Sequence, residues 1–386
     1  MPRSNAQVCS ICVMDANTPR IVFDPETGQC NCCKPAFARR PFEWWPGAEG
    51  QRRMDELVAR LRKEGEGRPY DCMVGLSGGI DSAYLAHLMG GVYKLRLFAV
   101  HVDGGWNSAA AVANIESLVR KLDLDLYTQV IEWSEMRDLQ VAFLKSGVYN
   151  QDFPQDHAFF ATLFRTARHY GIRTFLSGVN YSSESVNAPQ GGSVTAYDGK
   201  HLRAIHKLFG TEKLKTFPTM TLLDHIINTR IRKRPVVEKP LNYINYDKNE
   251  ATEVLREHYG WKDYGSKHSE SRFTKFYQDI YLPRKHDTDK RRVHLSSLIV
   301  SDQTTRENAL EELAHLPIDE RQAERDLKFV AKKLGMAVDE LAALLDQPPV
   351  SHLAYPSDTR FHTMLMQTRA SWQSSRKRAN EQPVDQ

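Results

Sequence analysis

The chain has 386 residues, 41% of them hydrophobic and 26% charged, with a formal net charge of +4. That length suits a sizeable core and more than one domain, and the composition is that of a globular protein rather than a disordered or fibrous one. No apolar run approaches a bilayer span and Met1-Pro2-Arg3-Ser4-Asn5 opens no secretory signal, so the expected location is the cytoplasm, and so mild a charge is no footprint for nucleic acid.

The cysteines crowd one end. Cys9-Ser10-Ile11-Cys12 and Cys30-Asn31-Cys32-Cys33 form two CxxC knuckles, and residues 21–28 between them read as a hairpin turning at Pro25-Glu26-Thr27-Gly28. In a reducing compartment such a cluster points to metal, with a redox cluster as the alternative. Four thiolates suit tetrahedral Zn²⁺ with no open position, a structural site that replaces the core about forty residues cannot build alone. Cys9, Cys12 and Cys30 are expected ligands; spacing favours Cys33 over Cys32 as the fourth. The module is placed at residues 1–40, followed by a helical linker at 41–69.

Residues 71–82, Asp-Cys-Met-Val-Gly-Leu-Ser-Gly-Gly-Ile-Asp-Ser, are the most informative stretch. A short apolar strand stops at Ser77, Gly78 and Gly79 make a turn, and a helix follows over 83–89. A strand–glycine turn–helix unit gathers backbone N–H groups around an anion, and Ser77 and Ser82 add hydroxyl donors. Asp81 beside phosphates implies Mg²⁺ between them. Ser-Gly-Gly-x-Asp-Ser resembles the loop of the PP-loop ATP pyrophosphatases, whose members split ATP between its α and β phosphates; the alternative is a glycine turn without a ligand.

Further strands are predicted over 95–102, 124–131 and 172–177, and helices over 109–122, 134–144 and 158–170. This alternation specifies an α/β fold, a doubly wound parallel sheet, with its ligand beyond the carboxyl ends of the strands. Ser77-Gly78-Gly79, His101-Val102-Asp103 and Gly178-Val179-Asn180 should therefore meet at one crevice. Val102 and Asp103 are candidates for nucleotide or metal, with a turn or helix cap as the plain role of Asp103. Gly178 would let backbone approach the nucleotide, or is a turn glycine. Asn180 and Glu184 follow on a polar loop that is otherwise solvated surface. Residues 247–258 and 276–282 read as helices, as do stretches between 304 and 345, within an ATP-binding domain placed at 70–300 and a helical region at 301–386 whose end, from Arg376, is expected to fray. Between them, Lys267, His268, Glu270 and Arg272 crowd six residues with reactive side chains.

The knuckles, Ser-Gly-Gly-Ile-Asp-Ser, His-Val-Asp-Gly-Gly-Trp-Asn, Gly-Val-Asn with Glu184, Tyr-Gly-Ser-Lys-His-Ser-Glu-Ser and Asp-Lys-Arg together resemble the N-acetyl sugar amidotransferases of bacterial surface-polysaccharide synthesis, from Cys9 to about Leu313. The resemblance implies that ATP adenylates an acetamido oxygen of a sugar, nucleotide-linked in the expected case, and that ammonia displaces AMP to leave an acetamidine. A carboxylate should stabilise the cationic carbon and take a proton from the entering nitrogen; the candidates are Glu184, Asp156 and Glu270, in that order. Lys267, Arg272 and Lys290 are candidates for phosphate contacts. No Gly-x-Cys-x-Gly segment and no N-terminal cysteine nucleophile is present. The resemblance thus implies a separate glutaminase and a cyclase-like subunit as ammonia source. The rivals are a tRNA-thiolating enzyme, another ammonia-dependent ligase, and a zinc-dependent scaffold. Against thiolation, Cys72 is the lone cysteine outside the knuckles and falls inside a predicted strand, where a small buried thiol is the plain reading.

Overall fold

A computed structural model describes residues 6–188, 194–232, 234–263 and 270–359. Lys267, His268 and the stretch from Arg376 lie outside the described residues. Five parallel strands, β1 (Cys72–Gly75), β2 (Leu97–Asp103), β3 (Asp125–Val130), β4 (Thr174–Leu176) and β5 (Val236–Glu238), form one sheet in the order β3-β2-β1-β4-β5. The first crossovers build outward from β1 to β3, and the next returns to the other side of β1. The order therefore reverses at β1, and the loop at 76–79 sits at that reversal. Val74 of β1 pairs with Ala99 on one side and Leu176 on the other, and all three are buried. Continuous apolar residues are what a strand covered on both faces requires. Cys72 is buried there as an inert packing group, its thiol pushed up by desolvation.

Four strands match the predicted ones within three residues at either end; β5 was not foreseen. It is three residues long, lies on an edge with Val236 and Val237 exposed, and follows a basic segment that carries no strand pattern. The helix after the loop starts earlier than predicted, at Ile80 with Gly79 as its cap residue, and runs as Ile80–Ala86 into a wider turn, His87–Val92. The helix predicted over 158–170 spans Phe153–His169, because Pro154 is tolerated in a first turn that has no N–H partner to lose. That extra turn contains Asp156. The helix predicted over 276–282 is part of a continuous helical run from Arg272 to His286, started by Ser271, whose side chain accepts from the Thr274 N–H.

The predicted hairpin is present: Phe23 bridges Cys30, and the Gly28 N–H donates to the Asp24 carbonyl. The helix Cys33–Glu43 grows out of the second knuckle. The knuckles pack in one cluster with Trp44, Tyr181, Val186 and Val300, so the module closes against the sheet domain. Arg306 clamps it from the far end of the chain, donating to the carbonyls of Cys9 and Cys12, and Arg292 pairs with Asp15 at 2.9 Å. Helices Glu320–Leu334 and Val338–Asp346 bury Val330, Leu334, Leu341 and Leu345 against Trp106, Phe273, Phe276 and Tyr281.

Candidate active site

Each piece of the cleft follows from a local rule. Ser77 closes the loop on itself: its hydroxyl accepts from the Gly79 N–H at 3.1 Å and lies 3.2 Å from the Ser82 hydroxyl. Ser82 is buried, accepts from the Ser77 N–H at 3.3 Å and donates to the Gly79 carbonyl at 3.0 Å, so it struts the turn. Gly78 adopts φ +85°, and a Cβ there would stand 2.9 Å from the Ala111 Cβ. Gly78→Ala is therefore expected to lower stability by about 1–3 kcal/mol in denaturant titration and to deform the loop. A Cβ on Gly178 would meet the Ser82 nitrogen at 3.0 Å, so that glycine allows β4 to end directly against the loop.

Three hollows of about 530, 410 and 560 Å³ meet at this loop. The first is lined by Ser77, Gly79, Asp81, Ser82, Gly178 and the aromatic rings of Phe159, Phe160, Phe164 and Tyr197. The second lies beside Val102, His101 and Asn107, and shares Ser77, Asp156, Phe159 and Glu270 with the first. The third shares Val179, Glu184, Lys239 and Lys248 with the first, and Lys290 with the second. Asp156, Glu184, Glu270 and Lys290 thus line one connected cleft at the carboxyl ends of the strands, with the loop at its centre.

Glu270 arrives there through tertiary contacts. Residue 271 bridges Asn107, and the Ser108 N–H donates to the Glu270 carbonyl at 2.8 Å, which sets its carboxylate 3.1 Å from where a Cβ on Gly79 would be. Glu184 ends the short helix Tyr181–Glu184. That segment is held from both sides: the Tyr181 hydroxyl donates to the Ala36 carbonyl at 2.6 Å, Arg39 donates to the Ser185 carbonyl at 2.7 Å, and the Val186 N–H donates to Ser297 at 3.0 Å. Asp81 is half-buried and accepts from the buried Tyr246 hydroxyl, which orients its carboxylate.

Other candidates are engaged elsewhere. Asp103 accepts from the Gly105 N–H at 2.8 Å and from Asn107 at 3.2 Å, a turn cap beside the cleft. Asn180 caps the Tyr181–Glu184 helix, accepting from the Ser183 N–H at 2.9 Å. Arg272 reaches Asp326 at 3.3 Å and lies 4.0 Å over the Phe329 ring, anchoring the Glu320–Leu334 helix. The residues that sequence reading missed are Lys239, Lys248, Tyr246 and Asp152. Lys239 follows the unforeseen strand β5, and no local pattern marks the others.

Asp152 lines the second hollow and accepts from Thr274 at 3.2 Å and Gln155 at 3.1 Å. Desolvation first, then the like charge of Asp156, pushes its pKa up to about 8. The folded chain therefore binds a proton that the unfolded chain releases near its ordinary pKa of about 3.9. This contribution to stability is complete below that value and is lost as pH rises towards 8. Asp152→Asn should flatten the fall in urea midpoint between pH 5 and pH 8.

Cys9, Cys12, Cys30 and Cys33 are buried with all their sulfurs within 4.8 Å of one another. Cys12 and Cys30 sulfurs are 3.5 Å apart, Cys30 and Cys33 3.6 Å, Cys9 and Cys33 3.8 Å. A tetrahedral ion with bonds of ~2.3 Å separates its sulfurs by about 3.8 Å, so the set fits zinc. Backbone N–H groups of Cys12, Cys30 and Cys33 point at the sulfurs, as thiolates require. The Cys32 sulfur instead sits 3.6 Å from the Asn31 side chain, which leaves Cys33 as the fourth member.

Residues 270–369 match the family described as LPS biosynthesis protein WbpG-like, C-terminal domain. The uncharacterized protein MJ1599 of Methanocaldococcus jannaschii is 29% identical over 131 residues, 32% of this chain. The chain spans only 45% of that relative's length. Among solved structures, the U34-tRNA thiolase NcsA from Methanococcus maripaludis with its [4Fe-4S] cluster is 14% identical, with 82% of this chain and 91% of that chain covered at a TM-score of 0.32. The NMN synthetase from Francisella tularensis is 20% identical, with 57% and 98% covered at 0.28. Such superpositions add nothing to the sheet order already described. Residues 270–369, which begin at the glutamate lodged against the loop, are thus similar to the C-terminal domain of WbpG-like LPS biosynthesis proteins, in keeping with the surface-polysaccharide family that the motifs resemble.

Proposed function

We propose that the chain is an ATP-dependent amidotransferase that converts the acetamido group of an N-acetyl sugar into an acetamidine during surface-glycan synthesis. The observation that carries this reading is the meeting of Asp156, Glu184, Glu270 and Lys290 with the Ser77–Ser82 loop in one cleft. Ser77, Gly79 and Ser82 grip the ATP phosphates, and Lys239, Lys248 and Lys290 offset the charge that gathers on pyrophosphate. Asp81, oriented by Tyr246, would hold Mg²⁺, which supplies charge neutralisation and alignment of the phosphates when bound.

An amide oxygen is a poor leaving group. Its attack on the α-phosphorus forms the oxygen–phosphorus bond, expels pyrophosphate and turns that oxygen into part of AMP, a good one. Ammonia then adds to the imidate carbon, the carbon–oxygen bond breaks and AMP departs. Glu184 faces the cationic carbon and takes the proton released from nitrogen, with Asp156 and Glu270 on the loop side holding the acetamido group in line. Glu184→Gln keeps the shape and removes the base. It should leave ATP binding within about twofold while lowering acetamidine formation by roughly 10²- to 10⁴-fold; unchanged turnover would remove Glu184 from the role.

Nitrogen comes from ammonium in the isolated chain and, in the cell, from a separate glutaminase with a cyclase-like partner subunit. The deciding experiment incubates the chain with ATP, Mg²⁺, ammonium or glutamine, and a panel of N-acetylated nucleotide sugars. Mass spectrometry should find a product lighter by about one unit, one AMP and one pyrophosphate per product, with ammonium but not glutamine. Release of ADP, or sulfur incorporation into tRNA, would overturn the proposal.

A further inference from the structure

A second pocket lies at the opposite ends of the strands from the cleft. It has a volume of about 370 Å³ and is lined by Arg168, Arg232 and Arg234, with Asn228 beside them and Phe164 and Ile172 as an apolar floor. Its place follows from the sheet: Gly171 and Ile172 precede β4 and Pro235 precedes β5, so it opens at the amino ends of parallel strands whose carboxyl ends carry the cleft. All three arginines are exposed. Among the described residues no carboxylate lines the pocket, and the Arg232 guanidinium donates to the neutral Asn228 side chain at 3.1 Å. Other arginines of the chain meet acids, as Arg52 meets Glu49 and Glu56 and Arg284 meets Asp346, or backbone carbonyls, as Arg68 meets that of Gly171. Three guanidinium groups around one pocket, with no carboxylate among the described residues lining it, repel one another, and a phosphate-sized anion relieves that repulsion with forked hydrogen bonds.

The rim of this pocket is apolar as well as basic. The helical run from Leu222 to Ile231 leaves Leu223 63% exposed and Ile231 74% exposed, and Val236 stands exposed on the adjoining edge strand, whereas His225, Thr229 and Val237 of the same elements line the first hollow. Large aliphatic side chains beside these arginines are poorly suited to water alone, but they match a surface that is anionic at its face and apolar just beneath it.

We propose that this end of the sheet is a docking surface for an anionic phospholipid bilayer: phosphodiester headgroups seat among Arg168, Arg232 and Arg234, while Leu223 and Ile231 enter the interface. Three arginines and two aliphatic side chains make a reversible attachment rather than an anchor.

The test is co-sedimentation of the full chain with vesicles of phosphatidylcholine alone or mixed with phosphatidylglycerol. Binding is expected to the mixed vesicles only, and to weaken steeply between 0.05 and 0.5 M salt, a range chosen to span about a threefold change in screening length. Each arginine contributes roughly fivefold, so Arg232→Ala with Arg234→Ala should lower partitioning about thirtyfold. Ile231→Ser, which removes apolar surface without adding charge, should weaken binding at low and high salt alike. The variants are checked for an unchanged melting temperature, and none touches the cleft lining. Wild-type chain that ignores the mixed vesicles, or binds them equally well after the double substitution, overturns the proposal. So does retention on RNA in preference to vesicles, or saturation of the arginines by millimolar inorganic phosphate without any vesicle binding, which would mark a small-anion site.

Discussion

Asp81→Asn is expected to lower ATP-dependent AMP release by roughly 10²- to 10³-fold, with a melting temperature close to that of the unaltered chain. The asymmetry follows from the position of Asp81. It is half-buried on the first turn after the loop, its carboxylate accepts from the buried Tyr246 hydroxyl, and its other face lines the cleft. Asparagine keeps the acceptor for Tyr246, so packing is preserved, but it removes the negative charge that would draw a divalent cation between protein and phosphates. The loss should therefore show in turnover and in the magnesium concentration needed for half activity. Tyr246→Phe, which leaves the carboxylate in place but unoriented, should cost less. A turnover loss in Asp81→Asn no larger than that of Tyr246→Phe would show that orientation rather than charge is what the site uses.

Zinc content is expected to be close to one ion per chain, and Cys12→Ser should bring it to near none and depress the melting temperature by roughly 10 °C or more. The module has little else to hold it: its buried residues are largely the cysteines themselves with Met14, Ala36 and Trp44. Activity should fall too, because the same cluster includes Tyr181 and Val186, on either side of Glu184. With the module loosened, the contacts from the Ala36 carbonyl and Arg39 that hold this segment go as well. Cys32→Ser is the control. Its sulfur stands outside the four-sulfur set, so zinc content and activity should stay near those of the unaltered chain. Equal zinc loss from both substitutions would mean that Cys32 shares in ligation.

Residues that act on their near neighbours were legible in the sequence. The two knuckles, the Ser77–Ser82 turn and four of the five strands depend on spacing, on positive-φ glycine and on short apolar runs, which are local properties of the chain. Their convergence followed as well, since parallel strands in such a sheet all end on one side. Asp103 and Asn180 also occupy strand and loop ends as expected, and there one oxygen of each accepts from an N–H of the following turn. Asp and Asn cap their own backbone wherever geometry permits, and a one-dimensional reading has no means of telling a cap from a ligand.

What tertiary structure alone decided is which distant groups share the cleft. Glu270 reaches the loop because residues 270–272 run beside 106–108, a pairing across more than 160 positions that no periodicity encodes. Arg272, two residues on, is drawn the other way by Asp326 and Phe329, so neighbours in one motif end on opposite sides of the chain. Lys239 enters through a short edge strand whose existence depends on β4 offering it hydrogen bonds, and Lys248 enters at the start of the helix Lys248–Tyr259. Local chemistry is written in adjacent residues, whereas side-chain partnership is settled by packing between segments whose separation along the chain says nothing about their distance in space.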